Sequence, residues 1–363
     1  MANQDNPTPK FVFVAYDLGP SKLLAKVAAE FPGSIVFFGN GGKTQMPSQE
    51  NICVAINLSH IAGVVTGVSS QPKSVEHELY AVTVADEVAK KPVAAVADTF
   101  GTLTKKLAKH IVSHMSLGLV VSPAEVAGTQ ELMPNAIIEA VGSPTWESYF
   151  KPADRGAART LIGASDDEMV TLVPGTKKPA FNGFMLMSVA GAMQRLAETQ
   201  PQHGPLRLVF APHPGEGEIV SPEVWNVQEY FPGIKVQVLS SIRTDDVIPG
   251  VDIVFDLGQS SAGMHAIARR IPLVAVKVPG STEYLRRETG QAESFVAGHR
   301  ASIRPQNPLV LGSLLQSLRD GSSIWGEQRE AQERFMPPMT PGSAVAVIAS
   351  ALRGMVATHQ ATR

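Results

Sequence analysis

The sequence predicts an α/β protein built from two facing Rossmann-like, doubly wound domains and a C-terminal helix. The length of 363 residues favours two domains over one compact core. Short apolar runs alternate with helical segments in each half, which is typical of parallel sheets. A polar, Pro-containing connection over 145–156 separates the halves. We therefore expect domains over 1–148 and 149–339, followed by a final helix over 340–363.

Composition excludes several classes of protein. The net charge of −2 favours neither nucleic acid nor an anionic membrane as a partner. Cys53 is the only cysteine, so no disulfide can form within the chain. No signal-peptide pattern and no apolar run of about 20 residues is present. We expect a cytoplasmic protein without stable membrane insertion, and the sequence leaves open whether it is a monomer or a homodimer.

In the first half, polar residues follow the ends of apolar strands. Strands are expected over 11–16, 34–38, 62–66, 92–97 and 117–121, and helices over 22–30 and 74–90. The residues that follow these strands are Asp17, Asn40, Ser69, Ser70, Asp98 and Ser122. Because ligands of open α/β sheets bind beyond the carboxyl ends of the strands, these side chains are candidates for a site.

The second half repeats the pattern. Strands are expected over 169–173, 206–211, 234–239, 253–255 and 273–278, and a helix over 183–198. The residues at the strand ends are Gly175, Thr176, Lys177, His213, Ser241, Ser260, Ser261 and Glu283. The last helix is predicted to start with Thr340 as its N-cap and Pro341 as its first residue, with an apolar stripe of Ala344, Ile348, Leu352 and Met355.

The stretch 251–279 is a strand, a Ser/Gly loop, a helix and a second strand. Free N–H groups and the helix dipole make such a loop an anion site, and Ser260 and Ser261 add hydroxyls there. The same serines are equally typical of a simple helix cap. Every arginine of the chain lies at Arg155 or later, which favours this half for a phosphorylated ligand.

Two other loops of this half each allow a ligand-binding and a purely structural interpretation. Gly175 permits close approach to a pyrophosphate and Lys177 supplies positive charge, but Thr176 between them also fits a solvated turn. Glu283 is either an acceptor for a ribose or sugar hydroxyl or an ordinary surface carboxylate.

Several motifs of the second half resemble the GT-B superfamily, which includes glycosyltransferases, UDP-N-acetylglucosamine 2-epimerases and teichoic-acid glycerophosphotransferases. Pro212-His213-Pro214-Gly215 looks like the HP motif of such families. Asp252-Ile253-Val254, Ser260-Ser261 and 266–272 together resemble their nucleotide-binding run, and 141–144 resembles the step into their interdomain linker. The helix over 340–363 resembles the C-terminal GT-B crossover helix, which implies that it packs back on the first domain. The resemblance implies that His213 contacts the donor phosphate or acts in catalysis by stabilising the leaving group. His265 stands where many relatives have the Glu that binds the ribose.

The resemblance implies a GT-B-type glycosyltransferase that takes a nucleotide-activated sugar as substrate and transfers it to an unknown acceptor. No cofactor and no metal are expected, because Asp166-Asp167 and Asp245-Asp246 are adjacent pairs rather than an Asp-x-Asp motif. The general base is expected to be Asp98 or Asp17, with Glu76 and His77 as further candidates. A UDP-sugar 2-epimerase-like enzyme and a catalytically silent GT-B-like binding protein are the alternatives.

Overall fold

The computed structural model describes residues 8–69, 72–213, 222–239, 242–258, 260–289 and 292–362. Contacts divide the chain into two compact units, one of Met1–Ser148 with Met339–Arg363 and one of Tyr149–Pro338. Each unit contains one parallel sheet, so the predicted α/β architecture of two doubly wound sheets is confirmed. Among the described residues, no helix combines the length and the apolar character needed to cross a bilayer.

The first unit is built on a six-stranded sheet in the order β2-β1-β3-β4-β5-β6. Its strands are β1 (Lys10–Ala15), β2 (Ile35–Phe38), β3 (Ile61–Thr66), β4 (Val93–Val96), β5 (Leu117–Val120) and β6 (Ile137–Ala140). Its first helices are α1 (Leu18–Ala28), α2 (Gln49–Asn57), α3 (Pro72–Thr83), α4 (Lys109–Val112) and α5 (Val126–Leu132). The strand order reverses between β1 and β3, which marks the predicted ligand edge of this sheet.

The second unit is built on a five-stranded sheet in the order β11-β10-β7-β8-β9. Its strands are β7 (Met169–Pro174), β8 (Leu206–Ala211), β9 (Lys235–Val238), β10 (Ile253–Asp256) and β11 (Leu273–Ala275). Its helices are α6 (Arg155–Leu161), α7 (Pro179–Thr199), α8 (Pro222–Tyr230), α9 (Thr244–Val247), α10 (Ser261–Ala268), α11 (Ser281–Thr289), α12 (Phe295–Gly298), α13 (Leu311–Arg319) and α14 (Ser323–Phe335). The strand order reverses between β7 and β10.

The last helix, α15 (Ser343–Ala361), belongs to the first unit although it is the most distant from it in sequence. Ile348 and Leu352 are fully buried and join the core that contains Phe11 and Phe13 of β1. The predicted apolar stripe of this helix therefore covers the first sheet.

The start of α15 differs from the prediction of a Thr340 cap. Gly342 precedes the helix with a left-handed φ of 81°, so the helical path begins at Ser343. The buried carboxylate of Glu147 accepts from the backbone N–H groups of Gly342 at 2.7 Å and Ala344 at 2.8 Å. A side chain distant in sequence thus satisfies the N–H groups that a local Thr cap was expected to serve.

Candidate functional site

The carboxyl edge of the second sheet brings two loops together where the strand order reverses. β7 and β10 are neighbours, with Leu172 opposite Val254, and both strands end two residues later at Pro174 and Asp256. The loop after β7 leads into α7 and the loop after β10 leads into α10. Two helix N-termini therefore begin at adjacent positions on this edge, which is the usual place for an anionic ligand in such folds.

Gly175 lies against the backbone that follows β8. Its N–H donates to the carbonyl oxygen of Ala211 at 2.7 Å. A Cβ at this position would lie 2.8 Å from the backbone N of His213 and 3.1 Å from the Ala211 oxygen. The structure thus brings two of the predicted site residues, Gly175 and His213, side by side, and it leaves no room for any side chain at position 175.

The turn after Gly175 is held by Asn182, a residue outside the predicted set of polar side chains at strand ends. The buried Asn182 of α7 accepts from the N–H of Thr176 at 2.7 Å and donates to the Thr176 carbonyl at 3.0 Å. The Thr176 hydroxyl bonds within the turn, accepting from the Lys178 N–H at 3.0 Å. Lys177 and Lys178 are exposed, so both can place positive charge at this edge.

The loop after β10 is organised by Asp256. This carboxylate is 1% exposed and accepts from the backbone of Gly258 and from the Ser260 hydroxyl, the latter at 2.7 Å. The Ser260 oxygen in turn accepts from the Gly263 N–H at 2.9 Å and so caps α10. Burial raises the pKa of Asp256 against these lowering hydrogen bonds. The Ser260 hydroxyl therefore serves both the cap and the buried carboxylate.

The Ser260→Ala variant is expected to be less stable by about 2 kcal/mol, because it removes the α10 cap and one partner of a buried carboxylate. Urea unfolding followed by circular dichroism measures the loss. Ser322→Ala is the matched control, since Ser322 precedes α14 but makes no side-chain cap bond. Equal stability losses in the two variants would contradict the dual role of Ser260.

The other residues predicted for this edge are either exposed or outside the described part of the chain. Ser261 is exposed and is the first residue of α10; neither its N–H nor that of Ala262 has an acceptor among the described residues. Glu283 is exposed on the first turn of α11. Ser241 lies outside the described residues. Two N–H groups at the start of α10 thus remain available to an anion.

His265 is buried on α10, and its ring packs inside the second unit. It stacks on Tyr149 with a centroid distance of 4.2 Å and an interplanar angle of 9°. Its Nε2 accepts from Arg269 at 2.7 Å, so Nδ1 carries the proton and donates to Asp245 at 3.3 Å. With both nitrogens engaged, His265 serves the packing of the linker residue Tyr149.

On the first unit, Asp98 follows β4 and comes close to the start of α1. Its Oδ2 lies 2.5 Å from where a Cβ of Gly19 would stand, and its Oδ1 accepts from Thr102 at 3.1 Å. Burial, with a smaller contribution from the charge of Asp17, raises the pKa of Asp98 against the lowering effect of Lys105. Asp17 precedes α1, and its N–H donates to the Ser69 hydroxyl at 3.0 Å.

Glu78, which is not among the residues predicted from the strand ends, links the ends of β1 and β3. It is fully buried and accepts from the N–H of Tyr16 at 3.1 Å and from the N–H and hydroxyl of Ser69 at 2.8 and 2.7 Å. Burial raises its pKa to about 7 despite these hydrogen bonds. The candidate Glu76, two residues earlier, is exposed.

Glu125 plays a similar part beside β5. Its carboxylate accepts from the N–H groups of Gly101 at 2.6 Å and of Val121 and Ser122 at 3.1 and 3.0 Å. Burial raises its pKa to about 7. Two buried acids thus fix the loops that carry Asp17 and Asp98.

No protein-family model matches this sequence, and no curated protein matches it either. Solved structures match along nearly the whole chain. MurG from Acinetobacter baumannii aligns with a TM-score of 0.60 at 12% identity, over 95% of this chain and 100% of that one. A glycosyltransferase from Rickettsia africae aligns with a TM-score of 0.59 at 12% identity, over 96% of this chain and 98% of that one.

A third similar structure is the UDP-GlcNAc 2-epimerase from Neisseria meningitidis bound to UDP-GlcNAc. It aligns with a TM-score of 0.53 at 12% identity, over 92% of this chain and 89% of that one. Likeness at this identity concerns the fold, and the GT-B fold expected from the sequence motifs is confirmed.

Proposed function

We propose that this protein is a glycosyltransferase that binds a nucleotide-activated sugar at the carboxyl edge of its second sheet. The observation that carries the proposal is the contact of Gly175 with the His213 backbone, at the sheet edge where β7 lies beside β10. A glycine backbone and a helix N-terminus suit the diphosphate of such a donor, and the His213 imidazole is proposed to contact it. Among the similar folds, one is a glycosyltransferase and another holds UDP-GlcNAc.

The diphosphate needs positive charge, and the chain can supply it without a metal. Lys177 and Lys178 are exposed in the loop after β7, and Lys277 is exposed just beyond β11. The N–H groups of Ser261 and Ala262 add neutral donors aligned with the α10 dipole. We therefore propose a donor that acts as substrate, with no cofactor and no metal requirement.

The test is calorimetric titration with UDP, GDP, CDP and CMP, each in the presence of EDTA and again with Mg²⁺. We expect one nucleotide to bind with the same affinity in both conditions. Absence of binding by all four would contradict the donor site. Binding that appears only with Mg²⁺ would contradict the metal-independent arrangement while leaving the nucleotide site in place.

The Gly175→Ala variant is expected to weaken nucleotide binding at least tenfold, because its Cβ would lie 2.8 Å from the His213 backbone N and must displace one of the two loops. Titration with the nucleotide that the wild type binds measures the effect. Gly326→Ala is the control, since Gly326 lies within α14 and a Cβ there meets nothing within 4 Å. An unchanged nucleotide affinity in Gly175→Ala would show that this loop does not contact the nucleotide.

The acceptor is proposed to bind the first unit, where Asp98 is the proposed general base. Its raised pKa, caused by burial, brings the carboxylate closer to the pH at which a base works best. Asp17, whose charge acts on Asp98, is the second candidate for this role.

A UDP-sugar 2-epimerase is the second candidate function, favoured by the fold shared with the N. meningitidis epimerase. An epimerase converts its sugar nucleotide without an acceptor, whereas a transferase does not. Proton NMR of UDP-GlcNAc incubated with the protein alone separates the two. Appearance of a 2-epimer would replace the transferase proposal, and an unchanged spectrum despite nucleotide binding would support it.

A further inference from the structure

The amino edge of the second sheet carries a cavity of about 430 Å³, at the opposite ends of the strands from the proposed donor site. It is lined where β7, β10 and β11 begin, at Met169, Asp252 and Pro272. The volume is in the range of small-molecule sites. Five arginines also line it, namely Arg155, Arg159, Arg270, Arg319 and Arg329.

Part of this charge is neutralised within the cavity wall. Asp252 pairs with Arg155 at 2.5 Å and with Arg159 at 2.9 Å. Glu168, another lining residue, pairs with Arg207 and Lys235 at 3.1 and 2.6 Å. These two carboxylates pair with four cationic side chains, so the network itself keeps a net positive charge.

The other three arginines lack a carboxylate within 4.0 Å in the described part of the chain. Arg270 donates to the carbonyl oxygens of Ile267 and Met336 at 2.7 and 3.0 Å, and Arg319 donates to that of Gly204 at 3.3 Å. Arg329 is exposed. The cavity therefore holds guanidinium charges that only neutral groups solvate.

Two further observations favour an anion as the ligand of these arginines. Burial lowers the pKa of Arg270 and of Arg319, and the charge of Glu333 offsets this only in part for Arg270. The Nη1 of Arg319 and the Nε of Arg159 are buried donors with no acceptor among the described residues. A half-buried cation with an unused donor is costly unless an anion meets it.

Carboxylates without a basic partner also line the cavity. Asp166 and Asp167 line it, are exposed, and have no basic side chain within 4.0 Å among the residues described. Carboxylates in this position accept hydrogen bonds from hydroxyl groups. The cavity is thus lined both by guanidinium groups and by carboxylates that can accept hydrogen bonds.

We propose that this cavity binds a small phosphate ester of a polyol, separate from the donor site. Its phosphate lies on Arg270, Arg319 and Arg329, whose planar forks suit phosphate oxygens. Its hydroxyl groups donate to Asp166 and Asp167. The assignment does not depend on the proposed transferase activity, because it concerns the other edge of the sheet.

The test is calorimetric titration of the full chain with glucose 6-phosphate, inorganic phosphate and glucose, with and without saturating UDP. We expect glucose 6-phosphate to bind more tightly than about 1 mM and more tightly than phosphate, without competition from UDP. Absence of glucose 6-phosphate binding, or displacement by UDP, would overturn the site. Phosphate affinity equal to that of the ester would overturn the roles of Asp166 and Asp167.

Two variants locate the binding. Arg329→Ala, an exposed position that leaves the fold intact, is expected to weaken glucose 6-phosphate about tenfold or more. Arg334→Ala on the same helix is the matched control, because Arg334 is exposed and does not line the cavity. Equal glucose 6-phosphate affinities in the two variants would show that Arg329 does not bind the ligand and would contradict the proposed phosphate position.

Discussion

The Asp98→Asn variant is expected to lose about 10²- to 10⁴-fold in kcat with the nucleotide sugar that the wild type uses, while its KM for this donor changes little. The amide removes the proton acceptor but keeps an oxygen for the Thr102 hydroxyl, which now bonds Asp98 at 3.1 Å. Asparagine also occupies the same volume beside Gly19 and α1. The loss should therefore report chemistry rather than folding, and circular dichroism checks that the fold is kept.

Asp17→Asn is the matched comparison for this prediction. If Asp98 is the base, Asp17→Asn should keep most of the activity, and a larger loss in Asp17→Asn would transfer the role to Asp17. The pH profile gives an independent readout. Because burial raises the pKa of Asp98, the acidic limb of kcat/KM should lie above the value of about 3.9 of an ordinary aspartate.

The stability of the protein is expected to fall as the pH rises from about 4.5 to about 7. Burial raises the pKa of Glu78 and of Glu125 from 4.5 to about 7, so between these values the folded chain keeps protons that the unfolded chain has lost. Unfolding then releases protons, and the free energy of unfolding decreases with pH. Each group accounts for about 3 kcal/mol across the window, and its contribution becomes constant above pH 7.

Urea unfolding at a series of pH values measures this slope, and Glu78→Gln identifies its source. Glutamine does not ionise, so the variant should show a shallower fall by roughly the share of one group. Glu76→Gln is the control on the same helix, since Glu76 is exposed. A Glu78→Gln slope equal to that of the wild type would show that Glu78 does not titrate in this window.

Much of the candidate site follows from sequence because strand ends are easy to recognise. Apolar runs closed by Gly, Ser or Asp gave the positions of Gly175, Asp98 and Ser260 relative to their strands, and the structure has each of them there. The pattern could not predict which serine hydroxyl makes hydrogen bonds within its own loop. Ser260 bonds both Asp256 and Gly263, a pairing that depends on the bend of the loop.

The two buried acids, Glu78 and Glu125, can be recognised from sequence patterns other than the polar residues at strand ends. Glu78 lies three residues after Val75 and four before Val82, on the apolar stripe of α3, where a solvated carboxylate is unexpected. Ser122 and Glu125 have the spacing of a capping box, and the structure contains it. By contrast, the bond of Glu147 to the start of α15 joins residues 195 positions apart, and no local pattern predicts it.

That long-range bond bears on the order in which the chain can fold during synthesis. The ribosome completes the second unit, Tyr149–Pro338, before it makes Ser343–Ala361. Until then Phe11 and Phe13 lack the helix that covers them, and the Glu147 carboxylate lacks its partners. The first unit emerges first yet finishes last, so part of its apolar core stays uncovered until α15 has been made.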